Sequence, residues 1–405
     1  IPSAFTNPSS TLVIYTPAVP AGHQQLDWFR QKDFKVLKRS RVLGLITEDM
    51  KSVCVAGTHG KTTVSTLTAY LLHNSSLGAN AFLGGIPKNF GTNFLHDPNS
   101  DLVVLEADEF DRSFWQLTPS TALITSMDAD HLDVYGNSDK VKEGFTGFAA
   151  RIKEKGRLLI KAGLPVPEGL AEGVEVFTYS RENEADYKII NLKYHKGLYS
   201  FDLKTPEGKI SGFTSGMPGL VNVENAAAAL ALCLMHGADP DELKRALPRF
   251  QGIARRFDVL IDTPYLVYID DYAHHPEEIR ATLESVRDAY PDREVTGVFQ
   301  PHLYTRTRDF AEAFASALDE GLDHIILLPV YPAREEPIPG VDSALIAKYL
   351  SKEKCLLIEK EELIPVLKKR EPDILITLGA GDIDRLVPAV HEWGEKKLLH
   401  SGDAG

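Results

Sequence analysis

A chain of 405 residues has room for two or three domains, each with its own core. With 43% apolar and 25% charged residues it has an ordinary soluble composition, and a formal net charge of −13 argues against a nucleic-acid backbone as main partner while leaving room for a local basic pocket around a small anion. Three scattered cysteines, Cys54, Cys233 and Cys355, suit a reducing compartment better than a disulfide framework, so a cytoplasmic location is expected; no apolar run is as long as a membrane span.

Residues 1–50 hold one clear strand, TLVIYT, a Pro-bounded turn and two short helical stretches, too little for a domain and therefore read as the tail end of one. The first residue is Ile, which leaves a removed targeting segment open. From 51 to 258 strands and helices alternate. SVCVAG, DLVVLEAD and TALITSMDAD are near-continuous apolar runs, as parallel strands buried on both faces require. A helical segment is expected at 139–155; residues 186–213 then alternate and turn at Lys-Gly and Glu-Gly, as hairpins do. VENAAAALALCLMHG predicts a strong helix ending at Gly237. From 259 to 405 a fresh series follows, with strands YLVYID, EVTGVF, HIILLPVY, KCLLIE and DILITLGAG, a second doubly wound α/β unit.

Chemistry concentrates at the strand ends. Gly57-Thr58-His59-Gly60-Lys61-Thr62-Thr63 lies between an apolar strand and a helix, the layout of a phosphate loop. Its backbone amides would face an anion, Lys61 would neutralise terminal phosphates and the Thr62 hydroxyl could ligate Mg²⁺. The usual pattern has a glycine five residues before the second one, and here that place is Val55, so a plain strand-to-helix turn is the alternative. The next two strands end in Glu106-Ala-Asp108-Glu109-Phe-Asp111 and Asp128-Ala-Asp130-His131-Leu-Asp133. Acidic clusters at the edge that carries a phosphate loop are what Mg²⁺–nucleotide chemistry needs; solvated acidic loops are the bland alternative. In the last unit, Asp270-Asp271-Tyr272-Ala273-His274-His275-Pro276 and Gln300-Pro301-His302-Leu303-Tyr304-Thr305-Arg306-Thr307-Arg308 end the first two strands. Adjacent histidines point different ways and rarely chelate one ion, so hydrogen bonds to phosphate or carboxylate are expected. Two arginines could fork onto a carboxylate, or simply add charge to an exposed helix start. GAGDID at 379–384 lacks the third glycine of a dinucleotide fingerprint and reads as a strand-end turn.

AGTHGKTT, EADEFDRSF, DADHLDVYG, FQGIARRFD, DDYAHHPEEI, FQPHLYTRTRDF and VYPAREEPIPG occur in this order, and together they resemble the Mur ligase family over about Thr11 to Ile383. The last two stretches are the ones most selective for its alanine-adding branch. The resemblance implies an α/β fold of three domains: an N-terminal Rossmann-like one for the UDP part, a central phosphate-loop ATPase with a parallel sheet and a small β-hairpin region, and a C-terminal Rossmann-like one. These would map to 1–50 as a remnant, 51–258 and 259–405, since the family's N-terminal glycine-rich loop is not in this sequence. It implies an ATP-dependent, Mg²⁺-requiring ligase that joins L-alanine to the lactyl carboxylate of UDP-N-acetylmuramate through an acyl phosphate, working as a monomer or homodimer. By resemblance, Lys61 meets the β- and γ-phosphates, Thr62 and Glu106 hold one Mg²⁺ and His131 serves a second. Asn222, Asn225, Arg256 and Asp271 border the nucleotide, while Tyr272, His274, His275, His302, Arg306 and Arg308 gather the amino acid and the reacting phosphate. Two positions depart from the pattern: Leu303 stands where the family usually has Arg, and Thr146 stands near the place of a carbamylated lysine, so no carbamate is expected. The rivals are another Mur-type ligase such as the murein-tripeptide one, a phosphate-loop NTPase without a ligation step, and a dinucleotide-dependent dehydrogenase.

Overall fold

The structure is a computed structural model, and it describes residues 7–16, 19–20, 22–127, 138–195 and 198–402. Near the start, β1 (Leu12–Tyr15) and β2 (Lys35–Lys38) form a two-stranded parallel sheet around the helix Gln24–Gln31. The helix Arg39–Asp49 then turns to the main body, where Leu43 and Ile46 pack on the apolar cluster of the next unit.

That unit is a ten-stranded sheet. Its strands are β3 (Lys51–Ala56), β4 (Asn80–Phe82), β5 (Phe94–Leu95), β6 (Leu102–Glu106), β7 (Thr121–Ile124), β8 (Arg157–Lys161), β9 (Glu175–Ser180), β10 (Tyr187–His195), β11 (Leu198–Thr205) and β12 (Gly208–Thr214). The order is β12-β11-β10-β9-β8-β7-β3-β6-β4-β5, parallel from β10 to β4, with antiparallel hairpin strands β11 and β12 beyond one end and β5 at the other. Val53, Cys54, Val55 and Ala56 are wholly buried, because β3 lies mid-sheet and both of its faces are covered. On one face lie the helices Lys61–His73 and Leu220–Met235; the alanines at 226–229 let these two pack closely. Phe114, Phe145 and Phe148 build the core of the opposite face.

The second unit is a six-stranded sheet in the order β13-β14-β18-β15-β16-β17. Strand β13 (Asp258–Asp262) is an antiparallel edge; β14 (Val267–Asp271), β15 (Val295–Phe299), β16 (His324–Leu327), β17 (Cys355–Leu357) and β18 (Ile374–Leu378) run parallel. The expected α/β architecture with its hairpin region therefore holds. In detail, the strand read through TALITSMDAD stops at Ile124 and the helix expected at 139–155 spans Ser138–Ala149. Strands β2 and β13 carry too little alternation to be read from sequence.

The stretch between the sheets is conformationally unusual. Arg255 and Phe257 both take positive φ, at 61° and 46°, on either side of Arg256. Lys88 Nζ meets Asp258 Oδ1 at 2.7 Å and Ala254 N donates to Ile86 O at 3.0 Å, which ties the loop after β4 to the linker. The carboxyl ends of both sheets consequently face one shared cleft.

Candidate active site

The cleft holds about 900 Å³ and has one wall from each sheet. The first wall starts at the end of β3. Gly57 takes φ 138°, and a Cβ there would overlap Thr125 Oγ1 and lie 2.9 Å from Ser126 N. The strand ends of β3 and β7 are therefore pressed together, and the β7 end bonds to the loop: Ser126 Oγ accepts from His59 N at 2.8 Å and meets the Thr58 hydroxyl at 2.8 Å. Gly60, at φ 80°, opens the helix, with Asn225 Oδ1 against it. Gly57→Ala should cost at least about 2 kcal/mol, because strain and a backbone clash coincide. Chemical denaturation tests this, and Thr125→Ala should not rescue it, since the Ser126 amide remains in the way.

Lys61 is the first residue of its helix and is largely enclosed. Its ammonium donates to Gly57 O at 2.6 Å and to Glu109 Oε1 at 2.8 Å. Burial pulls the Lys61 pKa down, yet Glu109, with Glu106 and Asp108, more than offsets this and keeps it a cation. For Glu109, burial pushes the carboxyl up against the pull of Lys61. Glu106 ends β6 and lines the cleft, as does the buried Thr62. A Cβ on Gly84 would overlap the Glu106 carboxylate, and one on Gly85 would sit 2.8 Å from Thr62 Cγ2, so these two glycines make room for the pair. Glu106 Oε2 is buried and accepts no hydrogen bond from the described residues.

That orphaned oxygen and the Thr62 hydroxyl are a ligand pair that suits Mg²⁺, which takes one or two protein oxygens and leaves its other positions to water and to a phosphate held by the loop amides. Among the described residues no three His, Cys, Asp or Glu side chains gather around one point. His131 and the acids at 128, 130 and 133 lie outside the described residues.

The opposite wall comes from the linker and from β14 and β15. Arg255 and Arg256 bracket the Tyr272 ring, with guanidinium carbons 5.2 and 5.1 Å from its centroid. Asp271 accepts from Phe257 N at 2.5 Å and Ala273 N at 2.7 Å, so it fixes the linker to the strand end. Burial lifts its pKa to about 6 against the pull of Arg256. His274 and His275 do point apart: His274 faces His302, ring centroids 5.7 Å apart, while His275 caps the helix Pro276–Ala289 and packs edge-on to Phe310. Glu278, in that helix's first turn, accepts from the backbone N–H of both histidines, at 3.0 and 3.2 Å. Burial pushes Glu278 up, but His274 and Arg256 overcome it and hold the carboxyl down at about 2.

His302 ends the β15 turn and stacks on Tyr331, centroids 5.8 Å apart; burial, then His274 and Arg306, push its pKa down to about 4. Leu303 enters the next helix, Tyr304–Gly321, with φ 72°, a strained state for a branched side chain, held by its N–H to Tyr331 O at 2.9 Å. Glu335 accepts from Thr305 N at 3.0 Å and from the Thr305 hydroxyl, so this helix start already carries its own anion. Arg306 lines the cleft, with Nη1 buried and no hydrogen-bond partner among the described residues.

Arg308 is the misplaced expectation. It is exposed and pairs with Asp309 at 2.7 Å, because residues two apart on a helix lie on opposite faces. No two-arginine fork exists here. Of the other expected residues, Thr58 to Thr63, Glu106, Asn222, Arg256, Asp271, Tyr272, His274, His275 and Arg306 share the cleft, whereas Gly57, Asn225 and His302 stand just behind it. Sequence reading missed the Thr125–Ser126 cradle, Gly84–Gly85, the pairing of Glu109 and the role of Glu278. The signals for the first two are a hydroxyl pair after an apolar run and a paired glycine after a short strand.

GAGDID makes no nucleotide loop. A Cβ on Gly379 would lie 2.7 Å from Gln300 O, and Gln300 Oε1 accepts from Ile383 N at 2.8 Å, so a side chain fills the turn.

The Mur ligase middle domain model matches residues 55–233 and the Mur ligase glutamate ligase domain model matches 255–381. A UDP-N-acetylmuramate–L-alanine ligase of Phocaeicola vulgatus is 48% identical over 394 residues, covering 96% of this chain and 85% of the relative. One of Parabacteroides distasonis is 49% identical, covering 97% and 85%. Among solved structures, the UDP-N-acetylmuramate–alanine ligase of Thermotoga maritima superposes with a TM-score of 0.77 at 25% identity, over 96% of this chain and 85% of that one. A murein peptide ligase of Psychrobacter arcticus shares the fold, with a TM-score of 0.65 at 21% identity over 94% of this chain and 86% of that one.

Proposed function

The chain belongs to the Mur ligase family, and we propose as its activity the ATP-dependent joining of L-alanine to the lactyl carboxylate of UDP-N-acetylmuramate, with release of ADP and phosphate, in peptidoglycan precursor synthesis. The observation that carries this reading is the single cleft with two unlike walls: a phosphate loop with Lys61, Thr62 and Glu106 on one, and Tyr272, His274 and Arg306 on the other. Nucleotide and amine acceptor can meet there at one carboxylate.

A carboxylate resists attack by an amine at neutral pH, so its oxygen first takes the γ-phosphoryl group of ATP. The amine nitrogen then attacks the acyl carbon, the bond to the phosphate oxygen breaks, and an amide remains. The loop amides and Lys61 stabilise charge on the transferring group, for which Lys61 exchanges Glu109 for phosphate. Mg²⁺ held by Glu106 and the Thr62 hydroxyl would supply charge neutralisation between the phosphates, and His131 is assigned to a second ion. Asn222 and Asn225 border the nucleotide, and Arg256 approaches it from the linker. Tyr272, His275 and His302 shape the amino-acid side, where Arg306 takes the carboxylate of alanine. The walls exclude water from the acyl phosphate when they close. Residues 1–50 belong to the UDP-binding part, 51–258 to the ATPase and 259–405 to the closing domain. Among the described residues no helix is long and apolar enough to cross a membrane, and a cytoplasmic location is part of the proposal.

Glu106→Gln separates a metal ligand from a structural carboxylate. It should raise the Mg²⁺ needed for half-maximal turnover at least about tenfold. The melting temperature should hold or rise, because the variant removes a charge from an oxygen that no described group bonds. A fall in melting temperature with unchanged Mg²⁺ dependence would assign Glu106 to the fold.

The activity itself is tested by phosphate release with UDP-N-acetylmuramate and a panel of amino acids and peptides. Release that depends on alanine and on the UDP-sugar acid supports the proposal. Preference for a tripeptide moves the chain to the recycling branch, and release without either acceptor makes it an uncoupled NTPase.

A further inference from the structure

The amine of alanine arrives as an ammonium and has to lose a proton before it can attack, and no residue has yet been given that task. His274 is built for it. Its Nδ1 lies 3.1 Å from Tyr272 O and 3.2 Å from Glu278 Oε2. A carbonyl oxygen only accepts, so Nδ1 carries the hydrogen and the tautomer is fixed. Nε2 is therefore the basic nitrogen, and no described residue hydrogen-bonds it, although His274 lines the cleft. Glu278 also takes the backbone N–H of His274 and His275, so one carboxylate sets both the turn and the ring.

We infer that His274 is the proton acceptor for the incoming amine and that Glu278 is its positioning residue; this rests on the ligase reading above. One ammonium proton moves to Nε2, and the freed nitrogen lone pair forms the bond to the acyl carbon. The carbon–oxygen pair leaves with phosphate, which carries off a second amine proton as the amide forms. Atoms and charge balance without another reactant. His274 is suited to accept at neutral pH: burial lowers its pKa, Glu278 opposes that, and Arg306 and Arg256 add to the lowering. The charged and titratable groups around it are Tyr272 and Glu278 on its own segment, Arg256 on the linker, and His302 and Arg306 beyond β15.

Hydroxylamine isolates the step, because it is uncharged at neutral pH and needs no base to attack an acyl phosphate. In the full chain, His274→Asn should reduce alanine ligation about 100-fold, while ATP-dependent hydroxamate formation from UDP-N-acetylmuramate falls far less. Glu278→Gln should shift the acidic limb of kcat/KM for alanine to lower pH, because the charge that raises the His274 pKa is gone. A merely structural Glu278 would lower the rate and leave the limb in place, which overturns its part of the inference. Equal losses with both nucleophiles would move His274 to phosphate transfer, and no loss with either would remove it from the reaction; both overturn the inference. If the unmodified chain forms no ATP-dependent hydroxamate, it is the ligase reading that fails.

Discussion

Lys61→Ala should lower ligation by about 100- to 1,000-fold, the cost of removing one preorganised positive group from a phosphoryl-transfer site. It should also destabilise the protein by about 3 kcal/mol, because Glu109 is 1% exposed and would lose the partner of its buried charge. The pH dependence of that second effect is specific. Without Lys61 the burial that already lifts the Glu109 carboxyl loses its main opponent. Its folded pKa then lies above the unfolded one, so the folded state binds the extra proton between the two values, and stability falls as pH rises through that window. The deficit should shrink on acidification. Lys61→Ala combined with Glu109→Gln should regain most of the stability and none of the turnover. Denaturation curves at two pH values, beside initial rates, check both halves. If the double variant recovered activity, Lys61 would be a structural lysine and the phosphate loop would be misassigned.

Arg306→Lys should raise the KM for alanine about 10- to 100-fold, as expected for a charge-assisted bond of roughly 1.5–3 kcal/mol. Charge is retained in this variant, but an ammonium cannot reproduce the planar two-donor fork. The position makes the demand plain. Arg306 has a buried Nη1 without a partner among the described residues, Arg308 points away, and Leu303 supplies no guanidinium. Glu335 already takes the Thr305 N–H and hydroxyl at the helix start, so that amide is not open to the substrate carboxylate. The KM for ATP should hardly change if Arg306 binds the amino acid in ground and transition state alike. A defect confined to ATP would reassign Arg306 to the phosphates.

Much of this was legible in the sequence because the reporting residues are local. Buried parallel strands announce themselves as apolar runs, and SVCVA followed by GTHGKTT places a strand, a loop and a helix with a lysine at its first turn. The rest depends on contacts across the chain. Glu109 is one acid among several in its cluster, and only the fold puts it on Lys61, 48 positions earlier. Thr125 and Ser126 looked like the continuation of a strand, whereas the sheet ends at Ile124 and frees their hydroxyls to bond the loop. Arg306 and Arg308 looked equivalent, and helical geometry separates them. Glu278 is recognisable only as a capping residue; that its carboxylate also lies 3.2 Å from His274 Nδ1 requires the turn to be seen.

The central claim is that ATP activates the lactyl carboxylate rather than being hydrolysed beside it. UDP-N-acetylmuramate labelled with ¹⁸O in both carboxylate oxygens tests this most directly, by mass spectrometry of the phosphate and the amide after turnover with ATP and alanine. An acyl phosphate predicts one labelled oxygen in each phosphate released and the other in the amide carbonyl; phosphate without label, formed at the same rate as amide, would contradict it.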